Sequence, residues 1–141
     1  MASDPMTTAN RLRPVLLRLA RELRREIHSL GVTGGQVSLL GAIKHNPGIT
    51  ATELAERERV SAPGMSGHLV RLEGAKLIER TRAHDRRRIG LFLTAEGEKV
   101  LKSVRKKRTA WLVERLERLE PAERESIEQS IDALEKLLAE D

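Results

Sequence analysis

Cysteine is absent from the 141 residues. That removes disulfides, thiolate metal sites, cysteine nucleophiles and thiol-based redox sensing together. Long apolar runs are absent too. The longest, such as Val15-Leu16-Leu17, are a few residues, whereas a membrane span needs about 20. The opening segment MASDPMTTAN has no apolar h-region, so no signal peptide is expected. A cytoplasmic location is the default expectation. Enzyme fingerprints are missing as well. Gly64-Met65-Ser66-Gly67 falls short of a G-x-S-x-G elbow and has no strand before it. No Walker or dinucleotide fingerprint occurs. His28, His45, His68 and His84 are scattered without zinc-ligand spacing. No catalytic residue, metal site or cofactor is therefore expected.

What is present is charge, unevenly spread. Residues 1–113 hold 22 Lys+Arg against 11 Asp+Glu, and residues 114–141 hold 4 against 10. The chain is thus basic through its middle and acidic at its C-terminal end. A polyanionic partner for the middle is the direct reading of that split, with a merely solvated basic face as the plainer alternative.

Periodicity divides the chain. Residues 1–6 are expected to form an arm. Leu12, Val15, Leu16, Leu19, Leu23, Ile27 and Leu30 recur at helical spacing up to Gly31. Pro14 argues for a helix beginning nearer Arg13 than Thr7, because proline is best tolerated in a first turn. Thr33 starts a second helix that stops at Asn46-Pro47-Gly48. Thr50-x-x-Glu53 reads as a capping box, with the glutamate reaching back, and opens a third helix. Ser61 caps a fourth, with Pro63 in its first turn. The period then changes to two: Leu77–Arg82 and Ile89–Leu93 read as paired strands, with Ile89, Leu91 and Leu93 inward and Phe92 outward. Thr94 caps a long fifth helix whose stretch Lys99–Arg108 holds six basic residues and no acid. Pro121 separates it from a last helix. The expected fold is mainly α (α+β).

Long terminal helices have little to pack on beside so short a middle. They point to a homodimer built from the first, fifth and sixth helices. The dimer residues are expected to be Leu16, Leu19 and Leu23 on the first; Trp111 and Leu116 on the fifth; and Ile127, Ile131, Leu134 and Leu138 on the last.

The candidate binding chemistry lies between those helices. Met65, Leu69 and Leu72 mark the inner face of the fourth helix. The opposite face is then Pro63, Ser66, Gly67, Val70 and Arg71, with Ala62 beside it. Such a face suits the major groove. Ser66 donates or accepts, and Arg71 forks onto guanine or reaches phosphate. Three glycines in this short helix, Gly64, Gly67 and Gly74, cost roughly 3 kcal/mol relative to alanine; close approach to a partner would offset that. Thr50 and Ser61, the caps of the third and fourth helices, are counted with the DNA-binding residues. Arg80, Arg82, Arg86, Arg87 and Arg88 load the hairpin, and arginine suits the negative potential of a narrow minor groove. Asp85 fits an internal role, pairing with an arginine to set the tip.

Residues 33–97 resemble the winged helix-turn-helix of the MarR family of bacterial transcription regulators. The resemblance rests on Thr50-x-x-Glu53-Leu54-Ala55, Val60-Ser61, Leu72-Glu73, Leu77-Ile78-Glu79-Arg80, Asp85-Arg86-Arg87 and Leu93-Thr94-x-x-Gly97. Any one of these is weak; the wing and the Leu-Thr-x-x-Gly in combination are fairly specific. The flanking helices extend the likeness to nearly the whole chain. It implies residues 1–32 as an arm and dimerisation helix, 33–97 as the DNA-binding region and 98–141 as C-terminal dimerisation helices. It also implies a homodimer on a pseudo-palindromic double-stranded DNA operator, and repression relieved by a small aromatic or phenolic effector. Arg87 would enter the minor groove with Asp85 as its support. His28 and His45 are candidates for lining an effector pocket. The chain departs from the family at Lys76, where glycine is usual. Either the fourth helix ends sooner, or Lys76 takes a left-handed conformation. Its recognition helix also lacks the extra polar side chains many members carry there. Two other functions stay open on sequence alone: a ligand-independent or architectural DNA-binding factor, and a winged-helix adaptor for proteins.

Overall fold

The computed structural model describes residues 3–82 and 87–139. Its elements run α1 (Pro5–Arg25), a single 3-10 turn (His28–Leu30), α2 (Gly34–His45), α3 (Ala51–Glu58), α4 (Ala62–Gly74), β1 (Ile78–Arg82), β2 (Ile89–Leu93), α5 (Ala95–Glu117) and α6 (Pro121–Lys136). The chain is mainly helical, with a two-stranded antiparallel wing between long terminal helices. It forms two compact units, residues 1–108 and 109–141.

α1 starts earlier than its sequence suggests. The Asp4 carboxylate accepts from the Thr7 N–H at 3.4 Å and from the Thr7 hydroxyl at 3.1 Å. Pro5 follows at the first helical position, so the expected arm is helical at residues 5 and 6. Pro14 lies inside the helix. It sits nearly opposite Leu12 and Leu16 on the helical wheel and, lacking an N–H, makes no bond to the Asn10 carbonyl one turn back. The regular helix ends at Arg25, five residues before the expected end at Leu30. Ile27 turns fully into the core and Gly31 closes the 3-10 turn at φ +75°.

The core of the first unit gathers the inner faces of the short helices and the sheet. Ile27, Leu40, Ile43, Leu54, Met65, Leu69, Leu72 and Leu91 are fully buried, each worth about 1.5–3 kcal/mol of burial free energy. α2 is closed by a reciprocal cap. The Thr33 hydroxyl accepts from the Gln36 N–H at 3.1 Å, and Gln36 Oε1 accepts from the Thr33 N–H at 3.0 Å.

The sheet pairs Ile78 with Leu93, Arg80 with Leu91 and Arg82 with Ile89. Leu91 is held on its other edge as well. Its N–H donates to the Ile49 carbonyl and its carbonyl accepts from the Gly48 N–H, each at 2.9 Å. Gly90 must be glycine, because a Cβ there would stand 2.9 Å from the Gly48 backbone. Of the three residues expected inward, Leu91 is buried and Leu93 half-buried, but Ile89 is 58% exposed. It pairs with Arg82 at the far end of the ladder, beyond the reach of the core. Phe92, expected outward, is half-buried with its ring against Gly48.

The junction from α4 to β1 resolves the two alternatives at Lys76. α4 ends at Gly74, Ala75 remains right-handed, and Lys76 sits at φ +62°. The Leu77 N–H closes onto the Leu72 carbonyl at 3.0 Å and the Lys76 N–H onto the Glu73 carbonyl at 2.9 Å. This is the Schellman pattern, which prefers glycine where Lys76 stands. Lys76→Gly is expected to stabilise the fold by about 0.5–1 kcal/mol, the strain relieved less the entropy glycine loses. A urea unfolding midpoint below that of the unchanged protein would contradict it.

Thr94 then joins two elements. Its hydroxyl donates to the Lys76 carbonyl at 2.7 Å and accepts from the Gly97 N–H at 3.0 Å, capping α5. Gly97 packs so tightly that a Cβ there would lie 2.3 Å from the Leu77 carbonyl oxygen. In the second unit, the Arg115 guanidinium stacks 3.8 Å above the Trp111 ring and Arg118 pairs with Glu114 at 2.6 Å. α6 begins with a reciprocal Glu120–Glu123 cap and contains no buried side chain. Among the described residues, no helix is long and apolar enough to cross a membrane.

Candidate nucleic-acid interface

α3 and α4 are set by their ends. The Thr50 hydroxyl accepts from the Glu53 N–H at 3.1 Å, and the Ser61 hydroxyl accepts from the Gly64 N–H at 3.2 Å. Each hydroxyl keeps its own proton to donate outward. Between the helices the chain turns through Arg59 at φ +56°, with the Val60 N–H on the Ala55 carbonyl at 3.0 Å. Met65, Leu69 and Leu72 anchor α4 to the core. Ala62, Pro63, Ser66, Gly67, Val70 and Arg71 are all exposed on its other side. The three glycines of this helix separate by environment. At Gly64 a Cβ would meet the Ser61 Oγ at 3.0 Å and the Val60 side chain at 3.3 Å, so the cap itself needs a small residue there. At Gly67 and Gly74 a Cβ would meet nothing within 4 Å.

Two of the wing arginines reach back to the helices. Arg80, on β1, is ion-paired with the Glu73 carboxylate of α4. Arg88, just before β2, is ion-paired with the Glu53 carboxylate of α3. The carboxylate half of the expected Thr50–Glu53 box is thus turned to the wing. Arg82 and Arg87 are exposed near the tip. Asp85 and Arg86 lie outside the described residues. The sequence reading missed Glu53 and Glu73 as partners of the wing. Glu73 and Arg80 are close enough in the chain to have suggested a pair; nothing in the sequence links Glu53 to Arg88.

Two clefts flank these elements. One of about 480 Å³ lies between α3 and α4, lined by Ala55, Arg59, Val60, Met65, Ser66 and Arg80 among others. The other, about 370 Å³, lies where the α2–α3 turn meets the wing, with Asn46, Gly48, Glu53, Arg57 and Arg88 on its walls. His28, in the 3-10 turn, and His45, at the end of α2, are both exposed. The arrangement presents a smooth helix face of small side chains with basic groups beside it. An α-helix of this kind fits a major groove about 12 Å wide.

Comparison with known proteins agrees with that geometry. A helix-turn-helix transcriptional regulator of Mycobacterium tuberculosis is 30% identical over 141 residues, covering 99% of each chain. The MarR family model matches residues 30–88, from the end of the 3-10 turn to the foot of β2. The chain belongs to the MarR family. A solved transcriptional regulator from Pseudomonas aeruginosa is 30% identical and superposes with a TM-score of 0.85 over the full length of both chains. A Staphylococcus aureus MepR mutant bound to an oligodeoxyribonucleotide has the same fold, at 21% identity and a TM-score of 0.71, over 94% of this chain and 98% of its own. As a member of the MarR family the protein is a DNA-binding transcriptional regulator and not an enzyme. In MarR terms α3 and α4 are the helix-turn-helix, α4 is the recognition helix and the β1–β2 hairpin is the wing.

Proposed function

We propose that the protein is a sequence-specific dimeric repressor that binds a pseudo-palindromic operator and is released by a small aromatic or phenolic ligand. The observation that carries the reading is the exposed face of α4, Pro63, Ser66, Gly67 and Arg71, beside a wing bearing Arg82 and Arg87. Gly67 has no neighbour in its own chain that would exclude a larger residue. A helix that accepts glycine there gains nothing internally and comes closer to whatever it docks on. Thr50 and Ser61, at the starts of α3 and α4, offer hydroxyls to phosphate oxygens, as phosphate contacts at helix N-termini do. With few polar groups on α4, discrimination rests on Arg71, Ser66 and the shape of the minor groove under the wing. The dimer is supported by apolar side chains left exposed on α1 and α6, among them Leu16, Leu19, Ile127 and Ile131. A cytoplasmic location follows from the DNA partner. His28 and His45, both exposed, are the candidate contacts for the ligand.

The test is anisotropy of a labelled duplex, selected by the protein from a random-sequence pool, titrated across salt. For six to ten phosphate contacts, affinity is expected to fall by about 10³–10⁵ between 50 and 200 mM salt. Arg87→Ala is expected to weaken that binding by roughly tenfold, the loss of one groove contact, with the dimer intact. A salt-independent affinity, or no enriched duplex, would remove the DNA reading. Loss of the dimer with normal DNA binding would reverse the roles assigned to wing and helices. Small phenolic acids added to the protein–duplex complex test the ligand; no release by any of them leaves a constitutive DNA-binding factor.

A further inference from the structure

α3, α4 and β1 carry five carboxylates, Glu53, Glu56, Glu58, Glu73 and Glu79, where a polyanion should disfavour them. Two of them are engaged in the same way. Glu53 of α3 holds Arg88 at the foot of β2, and Glu73 of α4 holds Arg80 of β1. Each helix of the helix-turn-helix is thereby tied to one strand of the wing. We propose that Glu53 and Glu73 are positioning residues for DNA binding, and that Arg80 and Arg88 serve with them to set the angle of the wing rather than to contact the duplex. This rests on the DNA-binding reading above and deepens it.

Three observations support the assignment. A two-stranded hairpin has little stability or fixed direction of its own. Here it is fastened along its middle by the bonds from Leu91 to Gly48 and Ile49. That edge and the buried Ile78 and Leu91 hold the base of the sheet, and the two ion pairs reach its outer part. Arg80 lies directly opposite Leu91 in the ladder, and Arg88 immediately precedes β2, so the pairs brace the sheet at two separate points. Finally, all four groups are between a third and a half exposed. Exposed pairs contribute at most about 1 kcal/mol, enough to bias the direction of a hairpin that has little of its own. Charge alone and geometry alone predict opposite signs: removing Glu53 takes a negative charge away from the phosphates, yet frees the wing.

The experiment uses the full-length protein and a labelled duplex selected from a random-sequence pool by the unchanged protein. If no duplex is enriched, the DNA-binding reading fails and the positioning roles are not what has been refuted. With a selected duplex, Glu53→Gln, Arg88→Gln and the double variant are compared, and likewise Glu73→Gln with Arg80→Gln. Each single change is expected to weaken binding about fivefold, the upper range for an exposed pair. The double variants are expected to bind no worse than the singles, because both changes break one contact. Glu53→Arg combined with Arg88→Glu is expected to recover binding towards the unchanged protein, with all melting temperatures within about 5 °C of it. Binding that is unchanged or tighter in Glu53→Gln and Glu73→Gln overturns the proposal. So does additivity within a pair, failure of the exchanged pair to recover, or a loss of binding that follows a fall in melting temperature.

Discussion

A variant carrying Leu16→Glu and Leu19→Glu is expected to be a folded monomer and to bind its selected duplex about 10²–10⁴-fold more weakly. The size follows from losing the second, tethered half-site contact. Both leucines lie on the apolar side of α1, 43% and 40% exposed, on a helix that buries no residue in its own chain. The charged substitutions therefore leave the core alone. They place carboxylates where the proposed dimer would bury them without partners, which costs several kcal/mol per interface. Arg18, Arg21 and Arg25 on the other side of α1 keep it solvent-compatible as a monomer. Sedimentation equilibrium at micromolar concentration and duplex anisotropy read the two effects separately. A variant that remains dimeric, or an unchanged protein that sediments as a monomer, would refute the assignment of α1 to the dimer.

Gly97→Ala is expected to be the most destabilising single methyl group in the chain's first unit. The added Cβ would lie 2.3 Å from the Leu77 carbonyl oxygen and 2.7 Å from a Leu93 methyl. Leucine can rotate away; the carbonyl belongs to the backbone joining α4 to β1 and cannot move without disturbing both. Overpacking of this kind costs about 1–3 kcal/mol where side chains absorb it, and more where backbone must shift. A cost of about 3 kcal/mol lowers the melting temperature by roughly 10 °C in a chain of this size. Scanning calorimetry measures it. A melting temperature within a degree or two of the unchanged protein would mean that α5 can slide along the sheet, against the packing described.

The parts legible in the sequence were those governed by near neighbours in the chain. Thr33, Thr50, Ser61 and Thr94 cap helices because each hydroxyl reaches an N–H three residues on. The winged helix-turn-helix could be read from those caps, from the inward Met65, Leu69 and Leu72, and from the change of period after Leu77. Lys76 was legible as a choice between two conformations, since a missing glycine says that strain exists and not where it goes. What could not be read depends on tertiary placement. Ile89 alternates correctly yet lies past the end of the core. Pro14 looked like a boundary, whereas the helix is started nine residues earlier by the Asp4 cap and Pro5 and continues through it. Only folding brings Glu73 and Glu53 within reach of Arg80 and Arg88. The exposed small face of α4 was legible as a whole; the separate meanings of Gly64 and Gly67 were not.

The Thr94 hydroxyl lies between the Lys76 carbonyl and the Gly97 N–H. Gly97 in turn has no clearance from the Leu77 carbonyl oxygen. The exit of α4 and the entry of α5 therefore share a single joint with no slack in it. The first turn of α5 and the last turn of α4 are set by the same few atoms: one hydroxyl bonded to both sides, and one missing methyl group that lets the Leu77 carbonyl pass.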